Sequence, residues 1–253
     1  MSIVQKSIPF PPIRLEKIVN YLLYIKDRSA SVQELKDCKI DFGRGRGDIT
    51  RFLLQIGIVE SEGSRIKLSN IGKIFTLFLK DGKPSIMFKI LFNNYMIDRV
   101  LTYRVLIETL REFCRADFEN LYLAMNENLK KISPSLWINK VAYRSLIMLA
   151  NDLEILEKRG STLTYVGHYD KVKTIVNLCI VSHRDVTYLD LDKLCEMLGF
   201  LEKNLLLKIV SEFLVKVRSP SAIELFRVRD IEGLICRLCS VTVFEVMKFS
   251  SPE

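Results

Sequence analysis

Residues 41–68 read DFGRGRGDITRFLLQIGIVESEGSRIKL, and the organisation of the whole chain turns on this stretch. Ile49, Phe52, Leu53 and Ile56 recur at i, i+3, i+4 and i+7, the spacing that lays one apolar stripe along a helix. Thr50, Arg51 and Gln55 then face the other way. Gly57 stands just past the last apolar position, where a helix can close in a left-handed cap. Beyond it, Ile58-Val59-Glu60 and Arg65-Ile66-Lys67-Leu68 flank the polar turn Ser61-Glu62-Gly63-Ser64, a pattern that predicts a short β-hairpin.

Working outward, Pro9, Pro11 and Pro12 keep the N-terminal arm extended. Residues 13–26 then carry Leu15, Ile18, Leu22 and Ile25 at helical spacing. Ser31 is a good N-cap for a short helix over Val32–Cys38, and Glu34 completes a capping box. Past the hairpin, Ser69 caps a helix over Asn70–Leu79, and Asp81-Gly82-Lys83-Pro84 ends it. Pro84–Asn94 reads as a linking helix.

A helix led in by arginines and followed directly by a small hairpin, after a longer and a shorter helix, resembles the winged-helix superfamily. There the start of the recognition helix enters the major groove, and the wing touches the minor groove or the backbone beside it. Carried onto this sequence, the resemblance implies helix contacts from Arg44, Arg46, Thr50 and Arg51, and wing contacts from Arg65 and Lys67. Lys36 and Lys39 would lie near the backbone at the end of the second helix. An arginine so placed can pair bidentately with guanine, or hold a phosphate without reading sequence. Glycines let the backbone approach a phosphate, and the amides at a helix start favour an anion. A solvated basic loop with flexible glycines is the plainer alternative.

The second third of the chain repeats the plan. Helices are expected over Arg99–Phe113, Phe118–Leu129 and Ile138–Leu156, leading into a hairpin over residues 157–165. At an offset of 97, Ile58, Glu60, Gly63 and Ser64 recur as Ile155, Glu157, Gly160 and Ser161, while Ile66 and Leu68 recur as Leu163 and Tyr165. With the same order of elements around them, these matches mark an internal repeat. The corresponding DNA candidates are Lys140, Tyr143, Arg144, Lys158 and Arg159, preceded by Lys130 and Lys131. The last third reads as a third copy: helices over Val172–Ser182, Leu191–Leu198 and Glu202–Val215, then a wing with its tip at Ser219-Pro220-Ser221. The apolar tail, Ile231 to Phe249, packs on its own domain or makes a dimer.

The fold expected is therefore mainly α with short β-hairpins (α+β), built as three packed tandem winged-helix domains over residues 1–97, 98–170 and 171–253. The net charge of +8 is unevenly shared. Residues 1–97 hold 16 Lys/Arg against 9 Asp/Glu, a balance of +7, whereas residues 98–170 hold 10 and 10 and residues 171–253 hold 12 and 11. A phosphate-binding surface is expected in the first third, because phosphate neutralisation supplies most nonspecific affinity. Six irregularly spaced cysteines fit free thiols in a reducing compartment. No secretion signal or apolar run of membrane length is present in the sequence, so a cytoplasmic, nucleoid-associated protein is expected.

Chemistry beyond binding has few candidates. Cys236-Arg237-Leu238-Cys239 has zinc-ligand spacing, and Cys179 with His183 sits at i, i+4, which together would make a Cys3His set. Buried cysteines in apolar stripes account for the same pattern. There is no phosphate-binding Gly-x-x-x-x-Gly-Lys-Ser/Thr loop, and GRGRG follows no buried strand. Histidine is limited to His168, in a loop, and His183. Asp190 and Asp192 flank Leu191 at a helix start, where capping and the helix dipole explain acidic residues. The function expected is double-stranded DNA binding through the first domain, with no cofactor and no enzymatic activity. Such a protein would be a transcription regulator or the DNA-binding subunit of a replication, segregation or defence assembly. Residues 171–253 would offer a homodimer or complex interface, and the alternative is a tandem winged-helix interaction scaffold.

Overall fold

In the computed structural model, residues 9–43, 45, 47–183, 186–217 and 225–250 are described. The chain mixes helices with small antiparallel sheets, an α+β architecture. A first run comprises α1 (Leu15–Tyr24), β1 (Ala30–Ser31), α2 (Val32–Asp37), α3 (Asp48–Gln55), β2 (Val59–Glu62) and β3 (Arg65–Leu68). After α4 (Asn70–Thr76), a two-residue ladder of β4 (Leu79–Lys80) and β5 (Lys83–Pro84), and α5 (Ile86–Arg99), the order recurs. The second run is α6 (Leu101–Phe113), β6 (Arg115–Asp117), α7 (Phe118–Ile132), α8 (Lys140–Asp152), β7 (Leu156–Arg159) and β8 (Thr162–Tyr165). A third follows: α9 (Tyr169–Cys179), β9 (Ile180–His183), β10 (Val186–Leu189), α10 (Leu191–Leu198), α11 (Lys203–Val210), β11 (Leu214–Val217) and β12 (Leu225–Val228). Two helices, α12 (Ile231–Ser240) and α13 (Val243–Ser250), come last.

The first two runs build the same sheet. The strand before the second helix pairs with the far strand of the hairpin, giving the orders β1-β3-β2 and β6-β8-β7. Val59 faces Leu68 in one hairpin and Leu156 faces Tyr165 in the other, each pair 97 residues from its counterpart. The chain leaves the third helix identically: Ile58 N–H donates to Leu53 O at 2.9 Å, and Ile155 N–H to Ala150 O at 3.0 Å. At that exit Gly57 has φ +78°, and Glu154 takes its place at φ +60°. A side chain there costs about 1 kcal/mol relative to glycine. Glu154→Gly is therefore expected to raise the urea midpoint of unfolding. A lower midpoint would mean that the contacts of the Glu154 side chain outweigh the backbone cost.

Local signals explain most elements. Ser31 Oγ accepts from Glu34 N–H at 3.1 Å while the Glu34 carboxylate accepts from Ser31 N–H at 2.6 Å, so the capping box is formed. Asp117, Asn139 and Asp190 cap α7, α8 and α10 with a side-chain oxygen alone, without the reciprocal bond, and Gly199 closes α10 in a left-handed conformation. Four expected helices end early: Asn70–Leu79 stops at Thr76 and Ile138–Leu156 at Asp152, where Leu79 and Leu156 enter strands, and the other two lie in the last third. Val172–Ser182 stops at Cys179 and Glu202–Val215 stops at Val210, because the β-branched residues beyond them enter ladders. The tip at Ser219-Pro220-Ser221 lies outside the described residues, but its flanking strands β11 and β12 pair from Leu214↔Val228 to Val217↔Leu225.

The chain forms two compact units, residues 1–73 with 95–167 and residues 74–94 with 168–253. The boundaries thus differ from the expected cuts after 97 and 170. In the first unit, Ile18, Leu22, Leu35, Leu53 and Ile66 make the core of the first run, and Leu106, Leu121, Leu146 and Leu163 that of the second. The Arg14 guanidinium meets the Asp152 carboxylate at 2.6 Å through two nitrogens, and Leu15 N–H donates to the same group, so the end of α8 caps the start of α1. In the second unit, Phe75, Phe88 and Phe92 cluster, Phe78 packs edge-on to Phe200, and Asn94 donates to the carbonyls of Cys239 and Val241. Those contacts draw residues 74–94, expected with the first domain, to the C-terminal part. The apolar tail is buried at home, with Leu234, Ile235, Leu238, Val241 and Val246 all at 0% exposure. Its apolar character therefore no longer argues for a dimer through residues 171–253.

Candidate nucleic-acid interface

The start of α3 is organised by Asp41. Its carboxylate is buried and accepts four hydrogen bonds: Phe42 N–H at 2.7 Å, Ile49 N–H at 3.0 Å, Thr50 N–H at 2.9 Å and Thr50 Oγ1 at 2.5 Å. Tyr21 OH lies 2.7 Å from Thr50 Oγ1, and its burial raises the phenol pKa well above the ordinary value. Asp41 thereby occupies the helix-start amides that were expected to be open to a phosphate. Thr50, expected to contact DNA, is fully buried in this network and cannot be such a contact. Asp41 had one sequence signal: an acidic residue at the mouth of a glycine-rich loop that leads into a helix.

The remaining candidates of the first run divide by their partners. Arg44 and Arg46 lie outside the described residues. Between them, Gly45 O accepts from Lys36 Nζ at 2.7 Å, so Lys36 holds the loop as well as lying near it. Arg65 donates to Ser29 Oγ at 2.9 Å and Ser29 O at 2.6 Å, and stands 3.5 Å from Glu34. Lys67 pairs with Glu62 at 3.1 Å and Glu60 at 3.5 Å, the Glu62 bond first among the causes that raise its pKa. Exposed pairs of this kind are worth roughly 0–1 kcal/mol each, so a phosphate can displace the carboxylates. Arg51 and Gln55 are exposed on α3, and Lys39 is exposed beyond α2. The arm runs alongside α3: Phe10 packs edge-on to Phe52 with centroids 5.4 Å apart, and Pro9–Pro12 line a cleft with Asp48, Arg51 and Gln55.

In the second run, Tyr143 is fully buried and its OH donates to Phe118 O at 3.2 Å, so it is not a surface contact. Lys140 pairs with Glu119 at 2.7 Å and Arg159 with Glu157 at 2.9 Å. Arg144 and Lys158 are exposed and converge on the Phe118 ring, at 6.0 and 5.9 Å from its centroid. Lys130 and Lys131 sit in the last turn of α7, complementing its dipole, and Lys131 also donates to Asn128.

The candidate Cys3His set, for which buried cysteines were the alternative reading, loses its helical spacing. Cys179 ends α9 and His183 falls on β9, so they share no helix face. Cys236 is exposed, while burial first, and then Cys236, pushes the Cys239 thiol pKa up to about 12. Among the described residues no group of three His, Cys, Asp or Glu side chains could hold a metal ion. His168, expected in a loop, is buried at the start of α9. Asp190 caps α10 and Asp192 pairs with Lys203 at 3.0 Å. No helix among the described residues is long and apolar enough to cross a membrane.

No family model matches this chain, and no curated protein matches it. Among solved structures, one described as "SspB crystal structure" is similar over 92% of this chain and 88% of that one, at 8% identity and a TM-score of 0.45. A likeness that loose carries no argument about fold or function.

Proposed function

We propose that this protein is a tandem winged-helix DNA-binding protein that grips duplex DNA with its first run, as a transcription regulator or as the DNA-binding subunit of a larger assembly. The recurring order of helix, strand, helix, helix and hairpin, with the early strand paired to the far hairpin strand, supports the winged-helix assignment. The observation that carries the DNA assignment is the +7 balance of residues 1–97 together with a glycine-arginine loop that Asp41 and Lys36 anchor at the start of α3. Arg44, Arg46, Arg51 and Lys39 would supply phosphate contacts, with Arg65 and Lys67 exchanging their carboxylate partners for phosphates.

Fluorescence anisotropy on a random-sequence duplex at two salt concentrations tests this. Binding should weaken with salt, and Arg44→Ala/Arg46→Ala should lower the slope of log K against log salt by about 2, one for each phosphate left without its arginine. Unchanged affinity in that variant, or no binding at low salt, would sink the proposal.

A second role, as an interaction scaffold, is favoured by the proline-lined arm beside the outward face of α3, which offers a protein partner a cleft. Under that role the double variant loses a protein partner and leaves duplex affinity unchanged.

A further inference from the structure

The second run holds a concave site with no counterpart in the chemistry of the first. It lies between the start of α7, the outer face of α8 and the turn of the β7–β8 hairpin, with a volume of about 570 Å³. Phe118, Ile147 and Met148 supply its apolar lining, and Arg144 and Lys158 its cations. Sites of this volume with an apolar floor and a few convergent polar groups are typical of small organic ligands. In the first run the residue that opens the second helix is Val32 rather than an aromatic, and the hairpin position matching Lys158 is Ser61.

The Phe118 ring is a fixed platform. Tyr143 packs against it with centroids 4.7 Å apart at 60°, itself buried and backed by Tyr122. The Tyr143 hydroxyl donates to Phe118 O, which fixes the Tyr143 ring against the Phe118 backbone. Arg144 and Lys158 stand 6.0 and 5.9 Å from the ring centroid, whereas a contacting cation, such as Arg28 over Tyr24, comes to 3.8 Å. A planar group stacked between a ring and a guanidinium needs about 7 Å between them, two contacts of roughly 3.5 Å each. A shift of about 1 Å by an exposed side chain opens that gap. Among the described residues neither Arg144 nor Lys158 is in an ion pair. Asp117 and Glu119 line the same site, Glu119 paired with Lys140 and Asp117 accepting from neutral amides at the cap of α7, so with Arg144 and Lys158 the mouth carries a net charge of +1.

From this we infer that the Phe118 site binds a nucleotide, its base stacked on the Phe118 ring beneath Arg144 and its phosphate held by Lys158 and Arg144. A nucleotide unites the two features the site offers, a flat aromatic group about 3.4 Å thick and an anion beside it. The source is either an unstacked nucleotide of a nucleic-acid strand or a free mononucleotide. This inference extends the nucleic-acid proposal to the second run but uses other residues, so the two fail separately.

The test uses the full chain with a labelled ten-nucleotide dT strand, and AMP as the free nucleotide. Phe118→Leu keeps an apolar side chain against Tyr143 and removes the π face. Arg144→Glu/Lys158→Glu reverses two exposed charges and should leave the urea midpoint unchanged. Wild type should bind the strand in a salt-dependent way, and Phe118→Leu should weaken binding roughly five- to a hundredfold, the range for losing one stacked base. The charge-reversal variant should weaken strand binding at least as much as Phe118→Leu and should abolish AMP binding. AMP binding without strand binding, lost in both variants, would uphold the site and assign the free nucleotide as its source. Loss of binding in the charge variant with none in Phe118→Leu would overturn it, leaving only a phosphate contact. Absence of binding to either probe would also overturn it. Arg44→Ala/Arg46→Ala, run in parallel, should leave AMP binding intact, and strand binding should still weaken on Phe118→Leu in that background, even where duplex binding is lost.

Discussion

Asp41→Ala is expected to lower the stability of the first unit by about 3–5 kcal/mol, among the largest effects a single substitution in this chain can have. The carboxylate accepts two amides at the start of α3, its neighbour's amide and the Thr50 hydroxyl, all in a buried setting. Removing it strands those donors, each at roughly 1–3 kcal/mol before local relaxation or water entry recovers part of the loss. It also removes the N-terminal cap of α3, since Gly47, at the cap position, has no side chain to offer. Asp41→Asn should fall between wild type and alanine. One amide oxygen can still accept two bonds, but its NH2 would face Thr50 N–H, a donor against a donor. Urea denaturation of the full chain, followed by circular dichroism, would rank the three. A loss below about 1 kcal/mol for alanine would show that Asp41 does not organise the loop.

Gly47→Ala should be almost as damaging, by about 3 kcal/mol, and for a reason that can be separated from glycine content as such. Gly47 has φ +81° and ψ 158°, a region essentially closed to residues with a Cβ. A Cβ there would also stand 2.1 Å from an Asp41 carboxylate oxygen, so the capping network must move to admit it. Gly45 is the control. It has φ +61°, but a Cβ would meet nothing within 4 Å, and Gly45→Ala should cost only about 1–2 kcal/mol. In an Asp41→Ala background the clash at position 47 disappears, and Gly47→Ala should then cost only its backbone strain. A double-mutant cycle by urea denaturation reads this as a coupling of about 1 kcal/mol or more. Additive losses would mean that the loop does not hold Gly47 against Asp41. Because that loop carries Arg44 and Arg46, either variant should weaken duplex binding along with stability if the proposed function is right.

Periodicity and caps make much of the local structure readable. The stripe Ile49, Phe52, Leu53, Ile56 is buried as expected, the Ser31–Glu34 box is formed, and the two hairpins keep their offset of 97 in register. Each of these depends on residues within a few positions of one another, so the information lies along the chain. The helix ends at Cys179 and Val210 are not legible in the same way. Ile180, Val181, Val215 and Val217 are as apolar as helix residues, and only pairing with β10 and β12 makes them strands. Site residues are harder still. Thr50 and Tyr143 sit at positions where a polar side chain can face a groove, yet both turn inward to buried partners: Asp41 for one, the Phe118 carbonyl for the other.

What the sequence by itself determined is the succession of helices and hairpins, the repeat, and the concentration of positive charge in the first third. Tertiary structure alone decided which charges are engaged, where residues 74–94 belong, and that a buried aspartate rather than an arriving anion fills the start of α3. The physical reason is range. Helical spacing, capping and turn chemistry act between neighbours, whereas the partners of a carboxylate or a ring are chosen by contacts 8, 25 or more than 100 residues away, as with Asp41–Ile49, Phe118–Tyr143 and Arg14–Asp152.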